Sequence, residues 1–310
     1  MEQKKLGQDF FQDEYRCGYY VTKEMKLVWS KELELLKEFD RACTKHGLTY
    51  FLDGGTLLGA VRHGGFIPWD DDVDVIMPRK DYNKLWEIAR DEFSEPYFFQ
   101  TSLSEKSFFR THAQLRRSDT TGFIDLDRDK SINKGIFLDI FVLDGVPSEK
   151  RKKNRLKRKI AFQKKLLAYK YDVDFSKVGF KRKILYILSR IFYAFVSFET
   201  YFNSFNKKTL AKYSDKHTEL VGDLTLEWRE NVHWQREWYK DTVRMNFENL
   251  SLCVPACYDE ILTKQYGDYM KIPDDINAKN GRSHDGITFD PDTPYKEYFE
   301  NLKSRTGEEK

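Results

Sequence analysis

Apolar positions along the chain repeat with two periods. In residues 23 to 46, Leu27, Val28, Leu35, Leu36, Phe39 and Ala42 recur at helical spacing and Gly47 follows as a stop, which predicts an amphipathic helix. Leu48 to Leu52 is a short β-rich run, broken by Asp53-Gly54-Gly55, and Thr56 is expected to cap a short helix through Val61. Alternation from Asp70 to Met77 predicts a strand. Tyr82, Leu85, Ile88 and Ala89 mark the inner face of a helix over 79 to 94. Phe108 to Arg117 and Gly135 to Val142 read as further strands, the second more apolar than the first. Residues 150 to 215 read as helical, and a helix from Tyr258 to Gln265 ends at Gly267. Strands and helices mixed in this way predict an α/β (α+β) protein.

The polar positions inside these elements carry the chemistry. Side chains two apart in a strand share a face, so Asp70, Asp72 and Asp74 are expected to line one surface while Asp71, Val73 and Val75 take the other. Three carboxylates that close repel one another, and the usual remedy is a divalent cation with hard oxygen ligands, Mg²⁺ or Mn²⁺. A solvated acidic turn after Pro68 is the plain alternative. Against it, Val73 to Met77 continues as a buried strand, and a second apolar strand carries a lone carboxylate at Asp139 between Phe137 and Phe141. A charge buried alone costs several kcal/mol, so Asp139 calls for a partner. The Gly54-Gly55 turn joins a strand to a helix N-terminus, where backbone N–H groups can hold an anion.

Composition narrows the class. The 310 residues are 40% hydrophobic and 33% charged, with 24 Phe and 18 Tyr, too aromatic for a disordered chain and too charged for an integral membrane protein. The longest apolar run, Ile184 to Phe198, contains Arg190 and is shorter than a spanning helix needs. The N-terminal residues lack the apolar stretch of a secretory leader, so a cytoplasmic location is expected. Four scattered cysteines, Cys17, Cys43, Cys253 and Cys257, suggest reduced thiols and no zinc site. Net charge is +3, but residues 150 to 197 hold sixteen Lys or Arg against two acids, Asp172 and Asp174. Peripheral contact with an anionic membrane through residues 150–198 is therefore expected, by an interfacial helix pair in a protein with no expected spanning helix.

The stretch FLDGGTLLGAVRHGGFIPWDDDVDV, from Phe51 to Val75, resembles the signature of the LicD family, bacterial phosphocholine transferases related to the fukutin proteins. FLDIFVLD from Phe137 to Asp144, and Tyr266-Gly267-Asp268-Tyr269-Met270 with Pro273, resemble that family's later blocks; the basic stretch does not. The resemblance implies a nucleotidyltransferase-type mixed sheet with helices, and the distinct composition of 150–215 adds a helical basic insertion. Pattern and resemblance together divide the chain into an N-terminal helical segment (1–47), a nucleotidyltransferase-like catalytic core (48–149), the insertion (150–215), and a C-terminal part (216–310) expected to complete the active site and end in a polar tail. The resemblance further implies a CDP-alcohol donor, CDP-choline or its ribitol and glycerol relatives, and a glycan acceptor, such as a teichoic acid, lipopolysaccharide or capsule precursor. Asp72, Asp74 and Asp139 fall on the catalytic positions, and with Asp70 they form the expected metal set. Gly54, Gly55, Thr56, Arg62, His63, Arg116 and Asp268 are the expected donor contacts; Arg117, Thr120 and Thr121 are further candidates. Trp69, Trp228, Trp234, Trp238 and Tyr266 are candidates for a quaternary ammonium. Two other functions remain open: transfer of a nucleoside monophosphate from a triphosphate, and a non-catalytic scaffold on anionic lipid. Nucleic acid is not an expected partner, because the basic region lacks interleaved stacking aromatics.

Overall fold

The computed structural model describes residues 6–105, 107–108, 110–171, 179–214, 218–225, 232–273 and 286–306. Trp228, Asp172 and Asp174 lie outside them. The chain forms a mixed α/β protein of two compact units, residues 1–100, 113–141 and 238–310 in the first, residues 101–112 and 142–237 in the second.

In the first unit a small strand pair, β1 (Glu14–Arg16) and β2 (Tyr19–Val21), leads into α1 (Lys23–His46). Thr22 caps α1 by accepting from the Met25 N–H at 3.2 Å, and Gly47 ends it at φ 61°, a left-handed turn that glycine adopts without strain. Strand β3 is only Phe51–Leu52, and α2 runs Gly54–His63, starting three residues earlier and ending two later than the sequence suggests. Asp53, not Thr56, sits at its N-cap; the Thr56 hydroxyl instead accepts from the Asp74 N–H at 2.8 Å, tying α2 to the next strand.

That strand, β4, spans Asp74–Pro78. Residues 70 to 73 lie outside it, so the alternation expected from Asp70 onward does not hold there. After α3 (Arg79–Glu92) come β5 (Tyr97–Gln100), β6 (Ala113–Arg117), β7 (Thr121–Ile124) and β8 (Ile136–Val146). Strand β6 is shorter than its sequence pattern suggests, and β8 is longer. The sheet of this unit has the order β3-β4-β8-β6-β5, with β3/β4, β5/β6 and β6/β8 antiparallel. Its register sets Gln114 beside Asp139, and the Asp139 N–H donates to the Val73 carbonyl at 3.1 Å.

Buried aromatics anchor α1 under the acidic turn. Trp29, fully buried, stacks on Phe66 with centroids 4.5 Å apart, and its indole N–H donates to the Asp70 carbonyl at 3.0 Å.

The second unit opens with the C-terminal half of β8, which pairs with β9 (Leu220–Gly222); β9 pairs with β10 (Trp234–Gln235). Its helices are α4 (Lys150–Tyr171), α5 (Phe180–Phe195) and α6 (Phe198–Phe205), so the basic stretch is helical as its pattern indicates. The first unit closes with the hairpin β11 (Thr242–Phe247) and β12 (Leu250–Pro255), helix α7 (Tyr258–Tyr266), strand β13 (Ile287–Asp290) paired to β7, and α8 (Tyr295–Thr306). Arg244 of the hairpin holds Asp40 of α1 at 2.9 Å, and Tyr50 donates to the same carboxylate at 2.6 Å.

Trp29→Phe keeps the stacking surface and deletes one buried hydrogen bond. It is expected to lower stability by about 1 kcal/mol, read from urea unfolding. An unchanged midpoint would show that the indole bond does not hold the turn.

Candidate active site

The acidic turn is a crowd of oxygens built from four pieces of chain. Carboxylate oxygens of Asp70, Asp71 and Asp72 lie within 4.8 Å of one another. Asp71, expected on the opposite face, joins this group because residues 70 to 73 are not strand and the two-residue alternation does not govern them. Asp74 begins β4 next to them. Burial pushes its carboxyl well above the usual range, and the negative charges of Asp72, Asp139, Asp53 and Asp70 add to that. Asp139 therefore reaches the cluster from β8, with its Oδ1 accepting from Gln114 Nε2 at 2.7 Å.

Two carboxyls outside the acidic run belong here as well. Asp53, buried at the N-cap of α2, donates its N–H to the Asp74 carbonyl at 3.1 Å. Glu32 projects from α1 and is 1% exposed; its Oε2 is buried without a hydrogen-bond partner. Burial raises the Glu32 carboxyl well above its ordinary value, and Asp72, Asp71 and Asp70 raise it further. A buried polar oxygen on an otherwise packed helix was the available signal, since Glu32 interrupts the inner face between Val28 and Leu35.

The glycines make room for these acids. Gly54 has φ 52°, and a Cβ there would stand 3.6 Å from Asp74 Oδ2 and 4.0 Å from the Tyr266 hydroxyl. A Cβ on Gly55 would come within 2.6 Å of Asp70 Oδ2. Tyr266, at the end of α7, thus joins the cluster. Burial and then Asp53, Asp70, Asp74 and Asp72 push its phenol upward, so the hydroxyl stays protonated and can donate.

The remaining sequence candidates separate. Arg62 lies beside the site, its Nη1 donating to the Tyr269 carbonyl at 2.9 Å and its guanidinium 5.7 Å from the Trp69 ring centroid. His63 accepts from Arg62 Nε at 2.9 Å; burial, Arg62 and Arg16 lower it to about 4, so the ring is neutral at physiological pH and is not a cation. Arg116 is not brought to the cluster surface. It is 1% exposed, and it donates to the Gly122 and Gly135 carbonyls at 2.9 and 2.7 Å and to Gln114 Oε1 at 2.6 Å. Its reach to the site is indirect, through Gln114 to Asp139. Arg117 pairs with Glu34 and Asp119. Thr120 and Thr121 bond to the Arg117 and Thr293 carbonyls at 2.8 Å. Asp268 is exposed in the turn after α7. Trp234 belongs to the second unit, and the Trp238 ring lies 5.7 Å from Lys264 Nζ.

Beside Asp70 opens a cavity of about 610 Å³. Tyr19, Trp69 and Tyr298 give it aromatic walls, and Glu24, Asp290 and Asp292 give it acidic groups.

The donor set is uniformly hard oxygen, crowded against a carboxyl that has no hydrogen-bond partner, which is the chemistry that suits a divalent cation. A mixed sheet presenting such a cluster beside a Gly-Gly turn is the arrangement of the nucleotidyltransferase-type domain that the resemblance implies. Residues 47–181 match the LicD/FKTN/FKRP nucleotidyltransferase domain family, the match running past α4 to the start of α5. The chain is 28% identical over 269 residues to the lipopolysaccharide cholinephosphotransferase LicD of Haemophilus influenzae, covering 84% of this chain and 95% of that protein. It is 33% identical over 114 residues to an uncharacterised protein of Rickettsia prowazekii, covering 37% and 39% of the two. With the human ribitol 5-phosphate transferase FKRP it shares 40% identity over 68 residues, 21% of this chain and 14% of that one.

Asp74 and Glu32 bind protons more tightly in the folded chain than in the unfolded one. Each contributes stability that is complete below the ordinary carboxylate range of about 4 and is lost as pH rises through the raised folded value. With a chelator present, the melting temperature is expected to fall between about pH 5 and pH 8, and Mg²⁺ to restore it most at the upper end. Glu32→Gln should flatten that slope. A chelated protein whose melting is level across the range contradicts this electrostatic picture.

Proposed function

We propose that this chain transfers phosphocholine from CDP-choline to a sugar hydroxyl of a cell-surface glycan precursor, releasing CMP. The observation that carries the proposal is the carboxylate crowd of Asp70, Asp71, Asp72 and Asp74 opening beside a cavity with aromatic walls and acidic groups. Asp70, Asp72 and Asp74 would hold Mg²⁺ or Mn²⁺, and a bound ion would neutralise the charge that builds on the donor diphosphate.

The protein's own groups account for the rest. Gln114, itself held by Arg116, fixes the plane of the Asp139 carboxylate, which accepts the proton of the acceptor hydroxyl. The hydroxyl oxygen bonds to the phosphorus that bears choline, the bridging P–O bond breaks, and CMP departs with that oxygen. The Tyr266 hydroxyl, kept protonated, donates to a phosphate oxygen.

The cavity favours choline over ribitol as the transferred alcohol. A trimethylammonium group is stabilised by aromatic faces and by nearby carboxylates, which Tyr19, Trp69, Asp290 and Glu24 supply; a polyol gains little from either. The name of the Haemophilus relative, a lipopolysaccharide cholinephosphotransferase, supports phosphocholine as the transferred group.

Purified protein with Mg²⁺ and a glycan acceptor is expected to release CMP from CDP-choline. Pyrophosphate released from CTP or ATP would favour nucleotidyl transfer instead. Asp72→Asn should reduce turnover at least about a thousandfold with the fold intact by circular dichroism. Full activity in that variant removes the site assignment. Tyr19→Ala or Asp290→Asn should raise KM for CDP-choline about tenfold. Equal KM values for wild type and both variants would take the choline group out of the cavity.

A further inference from the structure

We infer that α5 is an interfacial helix that seats the second unit on an anionic lipid bilayer. Six large apolar side chains of this one helix face water: Phe180 is 78% exposed, Phe195 86%, and Ile184, Ile187, Leu188 and Ile191 between 45% and 54%. At about 100° per residue, all six fall within an arc of about 100°. They form a continuous stripe along the helix, not scattered surface residues.

The helix is turned outward with respect to the usual amphipathic arrangement. Ser189, small and polar, is fully buried and donates to the Tyr186 carbonyl at 2.7 Å. On that inner side Phe192 packs against Tyr201 at 5.3 Å, and the Tyr193 hydroxyl donates to the Leu166 carbonyl of α4 at 3.4 Å. Packing against the rest of the unit thus uses one side of α5 and leaves its most apolar side without cover. Left in water, such a face forgoes about 25 cal/mol for every Å² that a partner would bury.

Charge decides the occupant. Ten of residues 150 to 165 on α4 are Lys or Arg and none is acidic; on α5, Lys183 and Arg190 stand at the flank of the stripe by helical spacing. An apolar stripe with a basic flank matches acyl chains beneath acidic headgroups. It opposes a second copy of itself, which would bring like charges together. The helix has 16 residues and spans about 24 Å, short of the roughly 30 Å hydrocarbon core, so it lies in the plane of the interface. No helix among the described residues is long and apolar enough to cross a membrane.

The test is sedimentation of the full chain with vesicles of phosphatidylcholine, with and without phosphatidylglycerol. Wild-type protein is expected to pellet with the anionic vesicles and be released by high salt. Leu188→Glu with Ile191→Glu should lower the bound fraction about tenfold or more, while the melting temperature stays put because both side chains are exposed. Phe180→Ser with Phe195→Ser, at the two ends of the stripe, checks the same face should the first pair disturb folding. The inference is overturned if wild type ignores anionic vesicles, if it pellets equally with neutral ones, or if both variant pairs bind as wild type does. It is also overturned if ultracentrifugation finds a wild-type dimer that either pair dissociates.

Discussion

Repulsion among carboxylates is the constraint around which the first unit is arranged. Asp70, Asp71, Asp72, Asp74, Asp53 and Glu32 influence one another within one small volume, and Asp139 is added from a second strand. Unit charges about 4 Å apart repel by about 4 kcal/mol at an effective dielectric of 20, so a chain free to relax would spread them. It is held by packing that has nothing to do with charge. The Trp29–Phe66 stack continues to Phe247 at 4.9 Å, and the Trp29 indole bond fixes the backbone at Asp70. Thr56 and Asp53 clamp Asp74 by its N–H and its carbonyl. Protonation relieves the strain in the absence of a cation, and Asp74 and Glu32 are driven upward by desolvation and by their acidic neighbours.

Glycine is part of the same device. A side chain at Gly55 would collide with Asp70, and one at Gly54 would need a left-handed backbone. The Gly-Gly turn therefore lets acids approach a helix N-terminus, whose partial positive charge favours them. The sequence pattern suggests an anion site at that turn, and the nearest anions to it are the protein's own carboxylates.

What could be read from the sequence follows from how local each feature is. Helix α1, its Gly47 stop, α3, α7 and the existence of β4 and β8 are set by short-range periodicity and capping, and they stand where the pattern puts them. Asp71 was misassigned because alternation was carried four residues past the start of the strand. Glu32 and Asp53 escaped notice because their place in the cluster comes from tertiary packing, and neither lies in an acidic run. Arg116 reads from the sequence as a donor contact. Register with Phe137, whose ring centroid lies 4.6 Å from its guanidinium, instead buries it behind Gln114.

The uneven charge along the chain takes on meaning when each unit is considered by itself. A crowded acidic site repels a diphosphate donor, so it needs a cation before it can hold one, and its affinity for donor and for cation must be coupled. A basic helical region has the opposite tendency and attracts any anionic surface without help. Were the same lysines spread around the carboxylates, they would satisfy the acids internally and remove the reason to recruit a metal ion. Concentrating positive charge in 150 to 197 keeps the acids of the first unit unneutralised, and it adds a long-range attraction to the apolar stripe of α5. The segregation of charge thus gives one chain two electrostatically opposite surfaces, in keeping with the proposed divalent ion at one and the proposed acidic headgroups at the other.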